Sequence, residues 1–312
     1  MASAFLFSNQ FCHSRFFFTK LKKKHFADHA WIFRVDRQIL KGLLKIGATS
    51  LIAGTFTSLS LLLLRSLIIG RLGLKSAGLF AAVLAMSGQS IIVITDSIGT
   101  YSLPNLSSLK SHEDIRNELN QILRLAIILS TPVILAFFML KEFVITLFYS
   151  SEFLQATQLI GIQLFGEFFK AVGWSMGIVL LPLKRLKAIV TIDAAWSLLY
   201  IGLSYVALDR VGLFGAVGAY LICYVLHVAA NYLYLKKIIN FSIWPQNQKL
   251  LAISVLLLGF VIFFLKPALG SYAVAALLTG LWVKMAIRKA EMMMAWGKIK
   301  KKFSENLTTT KN

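Results

Sequence analysis

Glu167 and Lys170 stand three residues apart inside an apolar run that covers residues 157–182. At i and i+3 they share one face of a helix. A charge at the centre of a bilayer costs about 2.5–3.5 kcal/mol on insertion scales, so such residues face a partner, a cavity or a transport path. Two chemistries suit the pair. The amine can meet an anionic head group while the carboxylate tunes it or carries a coupling proton. Alternatively, the two ions simply neutralise each other. Arg65, Asp96 and Asp193 also fall within apolar runs. Arg65 lies in the outer third, where a long side chain can snorkel, and Asp96 and Asp193 lie toward the inner ends. Arg124, Lys184, Arg185 and Lys187 sit at the inner mouth, where clustered cations gather a phosphate, although each taken singly is an ordinary topogenic charge. His227 lies inside a span with no second histidine to complete a metal pair, and reads as an interhelical hydrogen bond.

Catalysis has no visible home. The sequence contains no HExxH, GxSxG, P-loop or dinucleotide fingerprint. The longest outside loop, 141–156, offers only Lys141, Glu142 and Glu152 as charged groups. Cys12 and Cys223 lie in different segments and suggest neither a disulfide framework nor a metal site. The reading is therefore a non-enzyme with no cofactor and no metal.

The elements that position these charges are membrane helices. The chain is 57% apolar and 15% charged with a mean hydropathy of +0.73. Soluble globular chains are about 45–50% apolar and about 25% charged. Long apolar runs, rather than short alternating segments, exclude an outer-membrane barrel. A span needs about 20 apolar residues, and the runs near 46–69, 77–103, 124–140, 157–182, 188–208, 213–235, 250–266 and 270–287 satisfy that need. Pro104, Pro182 and Pro267 fall near run ends, whereas Pro132 lies within the third run and predicts a kink. The expected fold is an all-α polytopic bundle of about eight transmembrane helices. Gly173 with Gly177, Gly215 with Ala219, and Gly212 with Ala216 are small-residue pairs that predict close helix approach.

Orientation follows from Lys and Arg. With the N-terminus inside, inner segments carry 26 of these residues and outer loops carry 5. That asymmetry puts both termini in the cytoplasm. The net charge of +20 lies between and beyond the apolar runs, which points to topology rather than to nucleic acid. Residues 1–40 form a basic cytoplasmic segment, whose Phe-rich start at 1–19 precedes Lys20, Lys22, Lys23 and Lys24 and reads as the end of a preceding helix. Residues 41–240 form a six-helix bundle, and 241–312 add two spans and a basic tail that is disordered past Phe303. The stretch Asn105–Asn120 reads as an amphipathic helix on the inner surface.

Ordered strings add a resemblance. ITDSIG at 94–99 is followed by YSLPNLSSL at 101–109, and YSSEF at 149–153 by QLFGEFFK at 163–170. With RLGLKSAGLFAA at 71–82 and GLFGAVGAY at 212–220, they resemble the O-antigen and lipid-linked oligosaccharide flippases of the multidrug/oligosaccharidyl-lipid/polysaccharide exporter superfamily, over about residues 38–240. The resemblance implies six-helix bundles around a cationic cavity and alternating access for undecaprenyl-diphosphate-linked sugars in the bacterial inner membrane. It also implies that this chain corresponds to the C-terminal half. Its partners would be that lipid-linked substrate, membrane lipids, and a first-bundle half or a second copy. Glu167, Lys170, Arg65, Asp96, Asp193 and Arg124 become the substrate-binding or lumen candidates. The alternatives are a drug or cation antiporter of the same superfamily, a membrane glycan polymerase or ligase, and an inactive half-transporter that needs a partner.

The charge asymmetry is directly testable. Cysteines at Ser76, Ser151 and Val211 should react with a membrane-impermeant thiol reagent in intact cells. Cysteines at Ser107, Ala188 and Asn247 should react only after permeabilisation. The reverse labelling pattern would overturn the orientation.

Overall fold

The computed structural model describes residues 37–265 and 269–286. The readings made for residues 1–19, for Lys20 to Lys24, for Pro267 and for the tail from Lys298 lie outside the described residues. The chain divides into two units, Met1–Lys45 and Ile46–Asn312. Of the first, only the opening turns of a helix are described. The helices are α1 (Arg37–Ser108), α2 (His112–Met139), α3 (Lys141–Phe148), α4 (Thr157–Gly177), α5 (Leu186–Val211), α6 (Leu213–Ile239), α7 (Pro245–Phe264) and α8 (Leu269–Ala286). Turns of 3₁₀ type lie at Ser151–Ala156 and Ile178–Leu180.

The 72 residues of α1 are not one rod. A straight helix of that size would reach roughly 108 Å, far beyond a hydrocarbon core of about 30 Å. At Gly73 the backbone turns to φ 83° and ψ 169°, which breaks the helix into two arms of membrane scale. Positive φ is open to glycine because it has no Cβ. The runs near 46–69 and 77–103 are these two arms, and the expected connection between them shrinks to one non-helical residue. Leu64 and Ile68 before the break, and Phe80 and Val83 after it, are fully buried.

Pro104 lies within the last turns of α1, which ends at Ser108, so it falls near a run end as expected. One boundary expectation needs correction. The stretch Asn105–Asn120 is not a separate surface helix. It comprises the end of α1, a short link and the first turns of α2, where Ile115 and Leu119 are buried. The restart is local chemistry: Ser111 caps α2 by accepting from the Glu113 N–H at 3.1 Å, and Glu113 and Asp114 favour the positive helix end. Pro132 lies within α2, which runs on to Met139.

Among the described residues, α1, α2, α5, α6 and α7 are long and apolar enough to cross a membrane, with α1 counted once, and the apolar part of α8 is shorter. The protein is a multi-pass helical membrane protein. Helix α4 is the informative exception. Thr157, Gln158, Gln163, Glu167 and Lys170 lower its hydropathy, yet Ile160, Leu164, Phe168, Val172 and Met176 are fully buried. It packs against α6, α2 and α7, so protein rather than lipid is its main solvent.

Contacts fix the helix directions. A Cβ at Gly166 would meet Tyr220, one at Gly173 would meet His227, and one at Gly177 would meet Asn231. Both sets of numbers rise together, so α4 and α6 run parallel. Ring pairs Trp196–Tyr224 and Tyr200–Tyr220 run in opposite order, so α5 and α6 are antiparallel across the turn at Gly212, where φ is 58°. These are the directions of a chain that reverses at each connection. At one end, Asn120 ties α2 to the α6–α7 link. Its side-chain N–H donates to the Ser242 carbonyl at 3.0 Å and its Oδ1 accepts from the Trp244 N–H at 2.8 Å. Asn247 donates to the Asn120 carbonyl at 2.8 Å, and Arg116 donates to the last carbonyl of α6, Ile239, at 3.2 Å. Asn247 is fully buried in this knot, so exposed Gln248 is the sounder site for an inside cysteine.

A methyl added at Gly215 would lie 2.6 Å from the backbone carbonyl of Ala207, whereas one at Gly177 would lie 3.1 Å from the Asn231 side chain. Backbone cannot swing aside as a side chain can. Gly215→Ala should therefore cost about 1–3 kcal/mol by overpacking, and Gly177→Ala clearly less, by thermal unfolding in detergent micelles. Equal losses would contradict the close α5–α6 approach.

Candidate functional site

The α4–α6 contact is built from complementary sizes. Gly166, Gly173 and Gly177 give α4 a low ridge, and Tyr220, His227 and Asn231 fill it from α6. Close approach brings the next α4 residue, Glu167, against the α6 phenol. Glu167 as a whole is 1% exposed, and its carboxylate has two partners. Oε1 accepts from the Tyr220 hydroxyl at 2.6 Å, and Oε2 meets the Lys170 Nζ at 3.0 Å. A short O–H···O⁻ bond of this kind is among the stronger hydrogen bonds available to a protein. The ion pair is lopsided: the Lys170 side chain is 37% exposed and that of Glu167 only 2%. The carboxylate is sealed between helices, and the amine is its open end.

A separate cavity of about 310 Å³ lies farther along the same helices. Asp193 of α5, His227 and Asn231 of α6, Trp174 and Gly177 of α4, and Leu103 of α1 are among its lining residues. His227 Nε2 lies 3.8 Å from Asp193 Oδ1, which joins α5 to α6. The Asn231 amide lies 3.3 Å from the same ring nitrogen and donates to the His227 carbonyl at 2.9 Å. His227 thus has polar neighbours on its own helix and on the next, but its approach to Asp193 at 3.8 Å is longer than the expected interhelical hydrogen bond.

The sequence candidates do not converge on one chamber. Of Glu167, Lys170, Arg65, Asp96, Asp193 and Arg124, only Asp193 lines the larger cavity. Glu167 and Lys170 form the buried pair. Arg65 and Asp96 lie exposed on the two arms of α1. Arg124 lines a smaller pocket with Lys249 and Gln246. Lys184, Arg185 and Lys187 are exposed at the start of α5, next to cavity residues Leu181 and Ile189. Tyr220 and Asn231 were missed by sequence reasoning, which weighed charge. The signal was there: Tyr220, Tyr224, His227 and Asn231 recur at i, i+4, i+7 and i+11, one polar-tipped stripe on an otherwise apolar span.

Residues 11–158 match a family model described as a polysaccharide biosynthesis protein. Over 192 residues the chain is 22% identical to the Lipid III flippase of Escherichia coli (strain K12), and equally so to that of Shigella flexneri. Each match covers 62% of this chain and 46% of the relative, so the chain spans about half the length of the curated relatives it matches. Lipid II flippase MurJ, in an inward closed conformation, superposes with a TM-score of 0.59 at 15% identity over 86% of this chain and 58% of that one. That likeness is one of fold. The fold defines a multi-pass helical membrane bundle with the architecture of that structure. Within that class the chain resembles the lipid-linked oligosaccharide flippases, and the relatives it matches are named flippases.

Tyr220→Phe removes a hydrogen bond to a buried carboxylate and should cost about 1.5–3 kcal/mol of stability. Tyr200→Phe is the contrast, because the equally buried Tyr200 hydroxyl has no hydrogen-bond partner among the described residues. Its removal should be near neutral in the same thermal unfolding assay. Similar losses for the two variants would mean that the Tyr220 bond holds nothing in place.

Proposed function

We propose that this chain is the half of a flippase that carries an undecaprenyl-diphosphate-linked oligosaccharide, an O-antigen-type or related surface polysaccharide unit, across the bacterial inner membrane. The likeness to Lipid III flippases and to the MurJ fold supports the class. The carrying observation is the asymmetry of Glu167 and Lys170. A carboxylate locked by Tyr220 and sealed from solvent holds a cation whose own side chain is more than one-third exposed. Such an amine is preorganised to meet a diphosphate: the carboxylate holds it in place, and the phosphate oxygens complete its hydrogen bonds. The polar head group needs a protected path, and the lipid tail does not. Lys184, Arg185 and Lys187 gather the anionic head at the cytoplasmic mouth, with both termini on that side. A first-bundle half or a second copy completes the path opposite Lys170 in this reading.

One observation favours a second reading, a cation antiporter of the same superfamily. Asp193 is the formally charged group of the larger cavity, and acidic rather than basic lining suits a cationic cargo.

The test separates a ligand from a structural pair in cells that carry the complete assembly and lack their own flippase. Lys170→Ala should abolish surface glycan while abundance in the membrane stays near normal. Glu167→Gln with Lys170→Gln keeps a neutral hydrogen-bonding pair without stranding an ion. It should insert normally and remain inactive. Restored glycan in the double variant would reduce Lys170 to a structural counter-ion and remove it as the group that reads the head.

A further inference from the structure

The smaller pocket, about 200 Å³, lies among α2, α7 and α8 and shares no lining residue with the larger cavity. Its polar part is Arg124 of α2 with Gln246 and Lys249 of α7, and its apolar part is Leu250, Ile253 and Met285. Arg124 Nη2 donates to the Ala286 carbonyl at 2.7 Å, which ties the guanidinium to the end of α8. Gln246 and Lys249 are exposed at the start of α7, beside the Asn120 knot. The polarity is graded. Along α7 the pocket passes from Gln246 and Lys249 to Ile253, and along α8 the exposed Met285, Leu281 and Leu277 continue as an apolar strip at successive turns.

We propose that this pocket is a binding site for an anionic bilayer phospholipid, a resident lipid rather than the transported one. Its phosphate lies between the Lys249 ammonium and the Arg124 guanidinium, and its acyl chains follow Ile253, Met285 and Leu281. Lysine supplies a compact point charge, and arginine a planar fork that matches phosphate oxygens. Basic pockets between transmembrane helices on the cytoplasmic side suit anionic head groups. The apolar strip selects between two sources of the same anion. Inorganic phosphate would use the two cations alone, whereas a phospholipid uses both ends of the gradient. The site joins α2, α7 and α8, so an occupant would brace α8 against the bundle. This inference stands apart from the transport reading, because it needs neither Lys170 nor a flipping cycle.

The full-length chain, purified in mild detergent, would be offered equal amounts of dioleoylphosphatidylglycerol and dioleoylphosphatidylcholine, and retained lipid would be read by native mass spectrometry. Phosphatidylglycerol should be retained in preference. Lys249→Gln, an exposed change that leaves the core intact, should lower that retention about fivefold, which corresponds to roughly 1 kcal/mol for one basic residue. Lys237→Gln, at the end of α6 and outside the pocket, should leave it unchanged. Equal retention of the two lipids, or an equal loss in both variants, would overturn the site in favour of general surface charge. Displacement of the lipid by millimolar inorganic phosphate would overturn the lipid assignment in favour of a free anion.

Discussion

The buried carboxylate of Glu167 is the constraint around which this bundle is arranged. An ion removed from water loses several kcal/mol of solvation even after local relaxation, so it persists only with good partners. Here one partner comes from its own helix, one turn on, and the other from α6. The Tyr220 hydroxyl reaches the carboxylate because Gly166, immediately before it, lets the phenol ring lie against the α4 backbone. A side chain at 166 would push the ring away, and the carboxylate would lose the bond that seals it. The close helix approach and the ion site are therefore one feature.

The same contact explains why α4 is the least lipid-like of the long helices and also the most enclosed. A helix inserted among α2, α6 and α7 can carry Gln163, Glu167 and Lys170 because few of its faces meet hydrocarbon. Between transmembrane helices there is no hydrophobic driving force of the aqueous kind. Small residues, van der Waals contact and hydrogen bonds hold the bundle. Asn120 and Asn247 do for the α2–α7 end what Glu167 and Tyr220 do for the α4–α6 contact. In both places a buried polar group reaches across helices and fixes register. At the opposite end, Arg71 pairs with Asp209 at 2.7 Å, donates to the Tyr205 carbonyl and lies over the Tyr205 ring, fastening α1 near its break to α5.

Much of this was legible in the residues. Apolar runs of membrane length mark the helices, and Gly173, Gly177 and Gly215 among the small-residue pairs mark close approaches, whereas Gly212 meets nothing within 4 Å. Gly173 and Gly177 do lie against His227 and Asn231. The pairing of Glu167 with Lys170 follows from their i, i+3 spacing alone. The rest depends on what lies across a helix interface. Nothing in the spacing of Arg65 and Asp96 says that they lie on the outward faces of α1, since a charge inside an apolar run reads the same whether it faces a neighbour or the surroundings. The start of α2 was set by Ser111, Glu113 and Asp114, a capping signal hidden inside a stretch that composition alone made amphipathic.

The parallel α4 and α6 carry two polar groupings at a fixed separation along one interface. Glu167, Lys170 and Tyr220 form the first, and His227 and Asn231, with Asp193 of α5, form the second. Glycine on α4 beneath each one makes that interface tight, so the two groupings move together if the helices move at all. Helix α5 is bound differently. Its buried polar atoms, Trp196 Nε1, Ser197 Oγ, Tyr200 OH and Ser204 Oγ, have no hydrogen-bond partner among the described residues, and it meets α6 mainly through rings. Ring contacts tolerate sliding better than a 2.6 Å bond to a carboxylate does. The α4–α6 pair is thus held at the ion site by a short hydrogen bond, whereas α5 meets α6 there through rings and is fixed at its far end by the Gly215–Ala207 approach and the Arg71–Asp209 pair. A displacement of α5 would alter the Asp193–His227 contact and the cavity between them while leaving Lys170 held by Glu167.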